Sequence, residues 1–77
     1  MNKQRRIKID EAIVKIAEAK VIIEEVYEAE EEAYENLPES LQYSERGEQM
    51  QECVLALENA VSSCEELNDY LDEAKVE

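Results

Sequence analysis

From Met50 to Ala74 the apolar residues step along the chain by threes and fours without a miss: Met50, Cys53, Leu57, Ala60, Cys64, Leu67, Leu71 and Ala74. Side chains three and four apart share one face of an α-helix, so this spacing predicts a helix of roughly seven turns with one apolar side. Val54 and Val61 widen that side into a stripe. A lone helix in water leaves such a stripe wet. The residues before Met50 must therefore cover it, or help a second copy of the chain to do so.

The N-terminal half supplies a matching helix. Ile9, Ala12, Ile13, Ile16, Ala19, Ile23, Val26, Tyr27, Ala33, Tyr34 and Leu37 fall within one wide face, while Ile7, Val14 and Val21 repeat every seven residues on nearly the opposite side. One partner helix cannot cover both, so Ile7, Val14 and Val21 are expected to form the seam of an oligomer. Between the helices, Pro38 biases Leu37 away from helical geometry and suits the opening of a short turn through Glu39, Ser40 and Leu41. Ser44 fits an N-cap, with Glu45 in the first turn where the helix dipole favours a negative side chain. Gly47, a poor helix former just inside, points either to close approach by another backbone or ligand, or to an imperfect helix start.

These signals predict an all-α fold: a single helical-hairpin domain over residues 1–77, with helix 1 about 4–36, a loop about 37–44 and helix 2 about 45–75. A loop this short makes the two helices antiparallel neighbours, coiled-coil-like, each roughly 40 to 50 Å long. A chain of 77 residues is near the lower size at which a core suffices alone, so assembly into a four-helix bundle or larger helical oligomer is expected.

Charge narrows the function classes. There are 21 acidic residues against 8 basic ones, a formal net charge of −13, and Lys3, Arg5, Arg6 and Lys8 are already spent in the first eight residues. Such a surface repels nucleic acid and favours basic protein partners. No apolar run is long enough for a secretory signal or a membrane span, and a cytoplasmic setting is the expectation. Cys53 and Cys64, eleven residues apart on one helix, are separated by about 16 Å along its axis, too far for a disulfide. Both fall on the apolar stripe and read as small core hydrophobes.

Catalysis finds little to work with. There is no histidine, so a Glu-x-x-His di-iron site cannot be built. Glu24, Glu25 and Glu28 match, by letters, the EExxE motif with which helical nucleotide pyrophosphatases hold magnesium, and Glu66 with Asp69 matches the later ExxD. In so acidic a chain these letters arise readily by chance, and Glu25 points away from the apolar face. The expectation is a non-enzymatic protein without cofactor or metal, and a pyrophosphatase is the distant alternative.

Two binding readings remain. Glu24, Glu28, Glu31, Glu32 and Glu35 form an acidic surface able to occupy a basic groove on a partner protein. Alternatively, Tyr43, Ser44, Arg46 and Gly47 surround a helix N-terminus and, joined by Arg5, Arg6 and Lys8 of an antiparallel second copy, could hold an anionic small molecule such as a nucleotide signal. Glu30 interrupts the apolar face and must reach its edge or pair with a cation.

The run ENLPESLQYSERGEQMQE, with the leucine and alanine positions after it, resembles a group of small acidic helical proteins encoded by phages and prophages of Gram-positive bacteria. The resemblance covers roughly residues 30 to 74 and is most specific at NLPESLQ-x-SERGE. It implies a helical hairpin and a bacterial host cytoplasm, with alanine or another apolar residue more usual at positions 53 and 64. No activity is established for the group, so no catalytic residue carries over. The function expected on this basis is interaction with a host protein, such as inhibition of an antiviral defence.

Overall fold

The hairpin is built by its punctuation. In the computed structural model, which describes residues 1–76, the first long helix α1 runs Lys3–Glu35 and starts at Asn2, whose side-chain oxygen accepts the Arg5 N–H at 2.8 Å. It stops at Asn36, and Pro38, with φ −54° and ψ 143°, turns the chain out of helical geometry. The expected turn after the proline is one turn of helix, α2 (Glu39–Gln42). The second long helix, α3 (Glu45–Val76), is capped by Ser44, whose hydroxyl accepts the Gly47 N–H at 3.3 Å. Both long helices begin and end within one residue of the expected limits. Packed side by side, they make an all-α hairpin 58 Å long and 15 by 12 Å across.

The seam between them repeats in threes and fours. On α1 it comprises Ile9, Ile13, Ile16, Lys20, Ile23, Tyr27, Glu30 and Tyr34, with Leu37 just past the helix end; on α3 it comprises Met50, Val54, Leu57, Val61, Cys64, Asn68, Leu71 and Lys75, all half-buried. This is the heptad pattern of an antiparallel coiled coil. Three cross-pairs keep one register: Asp10 with Lys75, Lys20 with Glu65, and Tyr34 with Gln51. Ten residues forward on α1 answer to ten back on α3, and fourteen more to fourteen.

This seam corrects the expected stripe on α3. Met50, Leu57, Cys64 and Leu71 do face α1, as do Val54 and Val61 from the widened edge of the stripe, but Cys53, Leu67 and Ala74 are exposed, and the seam is completed instead by Asn68 and Lys75. Cys53 is therefore not a core residue. Following apolar letters alone skips Asn68 and Lys75, which α1 accommodates through hydrogen bonds and an ion pair, and so rotates the inferred face by part of a turn. Glu30 lies in the seam, half-buried.

A single hairpin closes no core. Among the described residues only Gly47 is buried, and no large apolar side chain is. Ile7, Val14 and Val21 are 56, 54 and 53 % exposed, so the hairpin leaves that row uncovered. Among the described residues no helix is long and apolar enough to cross a membrane.

Candidate functional site

The two flanks of the seam differ in charge: one carries acids, in rows shared with the exposed Ile7, Val14, Val21 and Leu55, and the other carries none. The cross-helix pairs mark one flank, because Asp10, Glu65 and Gln51 each directly follow a seam residue. Glu24 and Glu31 on α1 and Glu58 and Asp72 on α3 occupy equivalent positions, and Glu28, Glu35, Glu48 and Asp69 lie one row farther out on the same flank. From the middle of the rod to its terminal end this acidic flank is partly neutralised. The Lys20 ammonium lies 2.9 Å from Glu65, and Lys75 bridges Asp10 at 2.8 Å and Asp72 at 3.5 Å. Hydrogen bonds to Glu65 and to Asp10 hold these two lysines above their ordinary pKa, against partial desolvation that opposes the shift. Toward the loop neutralisation ends, since Arg46 is the only cation between Lys20 and Lys75.

On that unneutralised stretch lies a shallow groove of about 160 Å³, lined by Glu24, Tyr27, Glu28, Glu58, Val61 and Ser62. Tyr27 and Val61 offer an apolar floor and the three glutamates a charged rim. The Tyr27 hydroxyl is pushed up to about 12 by its hydrogen bond to Glu31, by desolvation, and by the charges of Glu31, Glu58 and Glu35. A drug-sized ligand needs roughly 300 Å³ or more, so this groove suits one long side chain rather than a nucleotide.

Of the residues expected to meet a partner, Glu24, Glu28, Glu31 and Glu35 share this flank. Glu32 is exposed on the outer face with Glu25, turned away from it. Glu58 is the contributor that the sequence reading missed. Its signal was the seven-residue repeat Glu58, Glu65, Asp72, legible only once the seam is known. The EExxE and ExxD letters do not converge, as Glu25 and Glu66 are exposed at outward positions of their own helices. Among the described residues no three acidic or cysteine side chains are grouped to hold a metal ion.

The expected anion site is not gathered within one chain. Arg5, Arg6 and Lys8 lie at the end of the rod opposite Tyr43, Ser44, Arg46 and Gly47. At the loop end, Ser44 already takes the Gly47 N–H with its hydroxyl and the Glu48 N–H with its carbonyl at 3.0 Å. The space that a side chain at Gly47 would fill is occupied by the backbone of Leu41 and Gln42. Of the readings open for Gly47, close approach by a backbone is what the fold uses.

The other flank carries the residue just before each alternate seam position: Ala12, Ala19, Val26 and Ala33 on α1, and Cys53, Ala60, Leu67 and Ala74 on α3. One row farther out stand Lys15, Ile22 and Ala29 on α1, and Gln49, Ala56, Ser63 and Tyr70 on α3. Not one acid occurs among these positions in a chain with 21 of them.

No family model matches the chain, and neither a curated protein nor a solved structure matches it.

Proposed function

We propose that this chain works without catalysis, by binding a basic protein surface with the acidic flank of its hairpin. The observation that carries the reading is the joint rim of Glu24 and Glu28 from α1 and Glu58 from α3 around the apolar floor of Tyr27 and Val61. A lysine or arginine entering there lays its methylenes on the tyrosine and valine and brings its cation among three carboxylates. Glu31 and Glu35 extend the same negative row toward the loop, where no lysine or arginine of α1 neutralises it. The likeness of the loop run NLPESLQYSERGE to phage and prophage proteins supports a bacterial host protein as the target, with inhibition of an antiviral defence as the outcome.

The test is capture of a basic partner from bacterial lysate. Reversing Glu24, Glu28, Glu31 and Glu35 to lysine is expected to abolish capture. Reversing Glu11, Glu18, Glu52 and Glu73, which project from the outer faces, changes net charge equally and should leave a specific partner bound. Equal loss in both variants would reduce the effect to bulk charge and overturn the assigned surface. Salt should weaken capture, since exposed charges are screened over about 10 Å at 0.1 M.

A further inference from the structure

We propose that the acid-free flank is the interface with a second copy of this chain, packed face to face and end for end. This is a different surface from the acidic flank, and it stands or falls separately. Ile22, Val26, Leu67 and Tyr70 are 61, 46, 46 and 68 % exposed there, on a molecule that closes no core by itself. The flank's positions run about 32 Å along α1 (Ala12–Ala33) and about 38 Å along α3 (Gln49–Ala74), and on a rod 15 Å across they give a footprint on the order of 500 Å², so the adjoining ends of the rod join the contact in reaching the ~800 Å² per partner of a standard stable interface. The alanines along the seam edge let two helix pairs approach closely, while Val26 and Leu67 fill the layer between them.

Charge decides the partner and its direction. A protein of net charge −13 repels its own copies over most of its surface, and this flank is where two copies meet without opposing carboxylates. The rod is also polar from end to end. At the terminal end Lys3, Arg5, Arg6, Lys8 and Lys75 offset Asp10, Glu11, Asp69, Asp72 and Glu73, whereas at the loop end Glu35, Glu39, Glu45 and Glu48 face Arg46 alone. A dyad across the rod lays each charge-balanced terminal end over the other copy's acidic loop and packs α1 on α1 and α3 on α3. A dyad along the rod would instead stack the two acidic loops.

Light scattering during size exclusion at micromolar concentration tests the face. Wild-type protein is expected at twice the 8.9 kDa chain mass. Ala19→Glu with Leu67→Glu is expected to halve that mass while circular dichroism still reports helix. Val14→Glu with Val21→Glu, on another face of α1, is expected to leave it unchanged. A wild-type mass of 8.9 kDa, or dissociation by the Val14 and Val21 pair, overturns the assignment. Cross-linking tests direction without disturbing the fold. In a Cys53→Ser, Cys64→Ser background, Ala19→Cys lies at the middle of α1, beside its own copy across the dyad, and should oxidise to a covalent dimer. Ala33→Cys should not. Cross-linking at position 33 with none at 19 overturns the end-for-end arrangement.

Discussion

Gly47 lies so close to Gln42 that a Cβ placed on it would fall 2.2 Å from the Gln42 carbonyl oxygen and 2.6 Å from that of Leu41. Among the described residues no glycine takes a positive φ, so the residue is selected here for space and not for a special backbone conformation. Inside an ordinary helix, alanine would be the better residue by about 1 kcal/mol. At this position the sign reverses, because what must yield is backbone held by its own hydrogen bonds and not a flexible side chain. Gly47→Ala is expected to cost about 3 kcal/mol, lowering the melting temperature by roughly 10 to 20 °C. Thermal unfolding followed by circular dichroism measures it, and an unchanged or raised midpoint would contradict the close packing of α2 on α3.

The same turn closes the end of α1. The Gln42 side-chain amide donates toward the carbonyls of Tyr34, Leu37 and Glu35 at 3.3, 3.2 and 3.5 Å, groups that the helix end leaves short of partners. These are partly exposed acceptors that water can also reach. Gln42→Ala is therefore expected to cost about 1 kcal/mol and to lower the melting temperature by roughly 4 to 8 °C. Gln42→Glu should cost at least as much, since a carboxylate cannot donate. Equal midpoints for wild type and both variants would mean that the amide caps nothing.

The helices and their connection were legible because Asn2, Pro38, Ser44 and the three-four spacing act locally, within one turn of where they stand. The facing of α3 was not. Apolar residues occupy both the seam and the flank beside it, so Cys53, Leu67 and Ala74 merged with Met50, Leu57 and Leu71 into one apparent stripe. The true seam includes Asn68 and Lys75, whose partners Ile13 and Asp10 lie more than fifty residues away in sequence. The acidic surface was half legible. Glu24 and Glu28 announce themselves on α1, but Glu58 joins them only through the register of the hairpin. Gln42 gave no signal, since nothing in its neighbours says that its amide turns back onto α1.

Asn68 is the polar residue that the seam accommodates least well. Its amide nitrogen donates to the Ile13 carbonyl at 3.3 Å, while its side-chain oxygen is buried without a hydrogen-bond partner. A single asparagine in a coiled-coil seam fixes register at a cost in stability. Replacing it with leucine removes the orphaned oxygen and adds apolar contact with α1, and the Ile13 carbonyl keeps its place in the helix. Asn68→Leu is expected to stabilise the fold by about 1 to 2 kcal/mol, read as a higher urea midpoint at unchanged slope. A lower midpoint would show that the bond to Ile13 outweighs the buried oxygen.

Tyr27 ties the acidic flank to pH. Its hydrogen bond to Glu31, desolvation, and the charges of Glu31, Glu58 and Glu35 raise its pKa to about 12, whereas an unfolded tyrosine ionises near 10. The folded chain thus holds this proton more tightly than the unfolded one. The resulting stability is complete below about pH 10, erodes as pH rises toward 12, and is gone once the native phenol ionises. Phenolate absorbance, followed alongside helicity, should show a late-titrating component that Tyr27→Phe removes and Glu31→Gln moves to lower pH. A titration identical in wild type and Tyr27→Phe would mean that the hydroxyl does not feel the glutamates. The same spectrum reports on the groove, because a partner's arginine, still charged where Tyr27 ionises, would offset the charge of Glu24, Glu28 and Glu58 when seated among them. Binding at that place should therefore draw the late component down in pH, and binding elsewhere should leave it where it is.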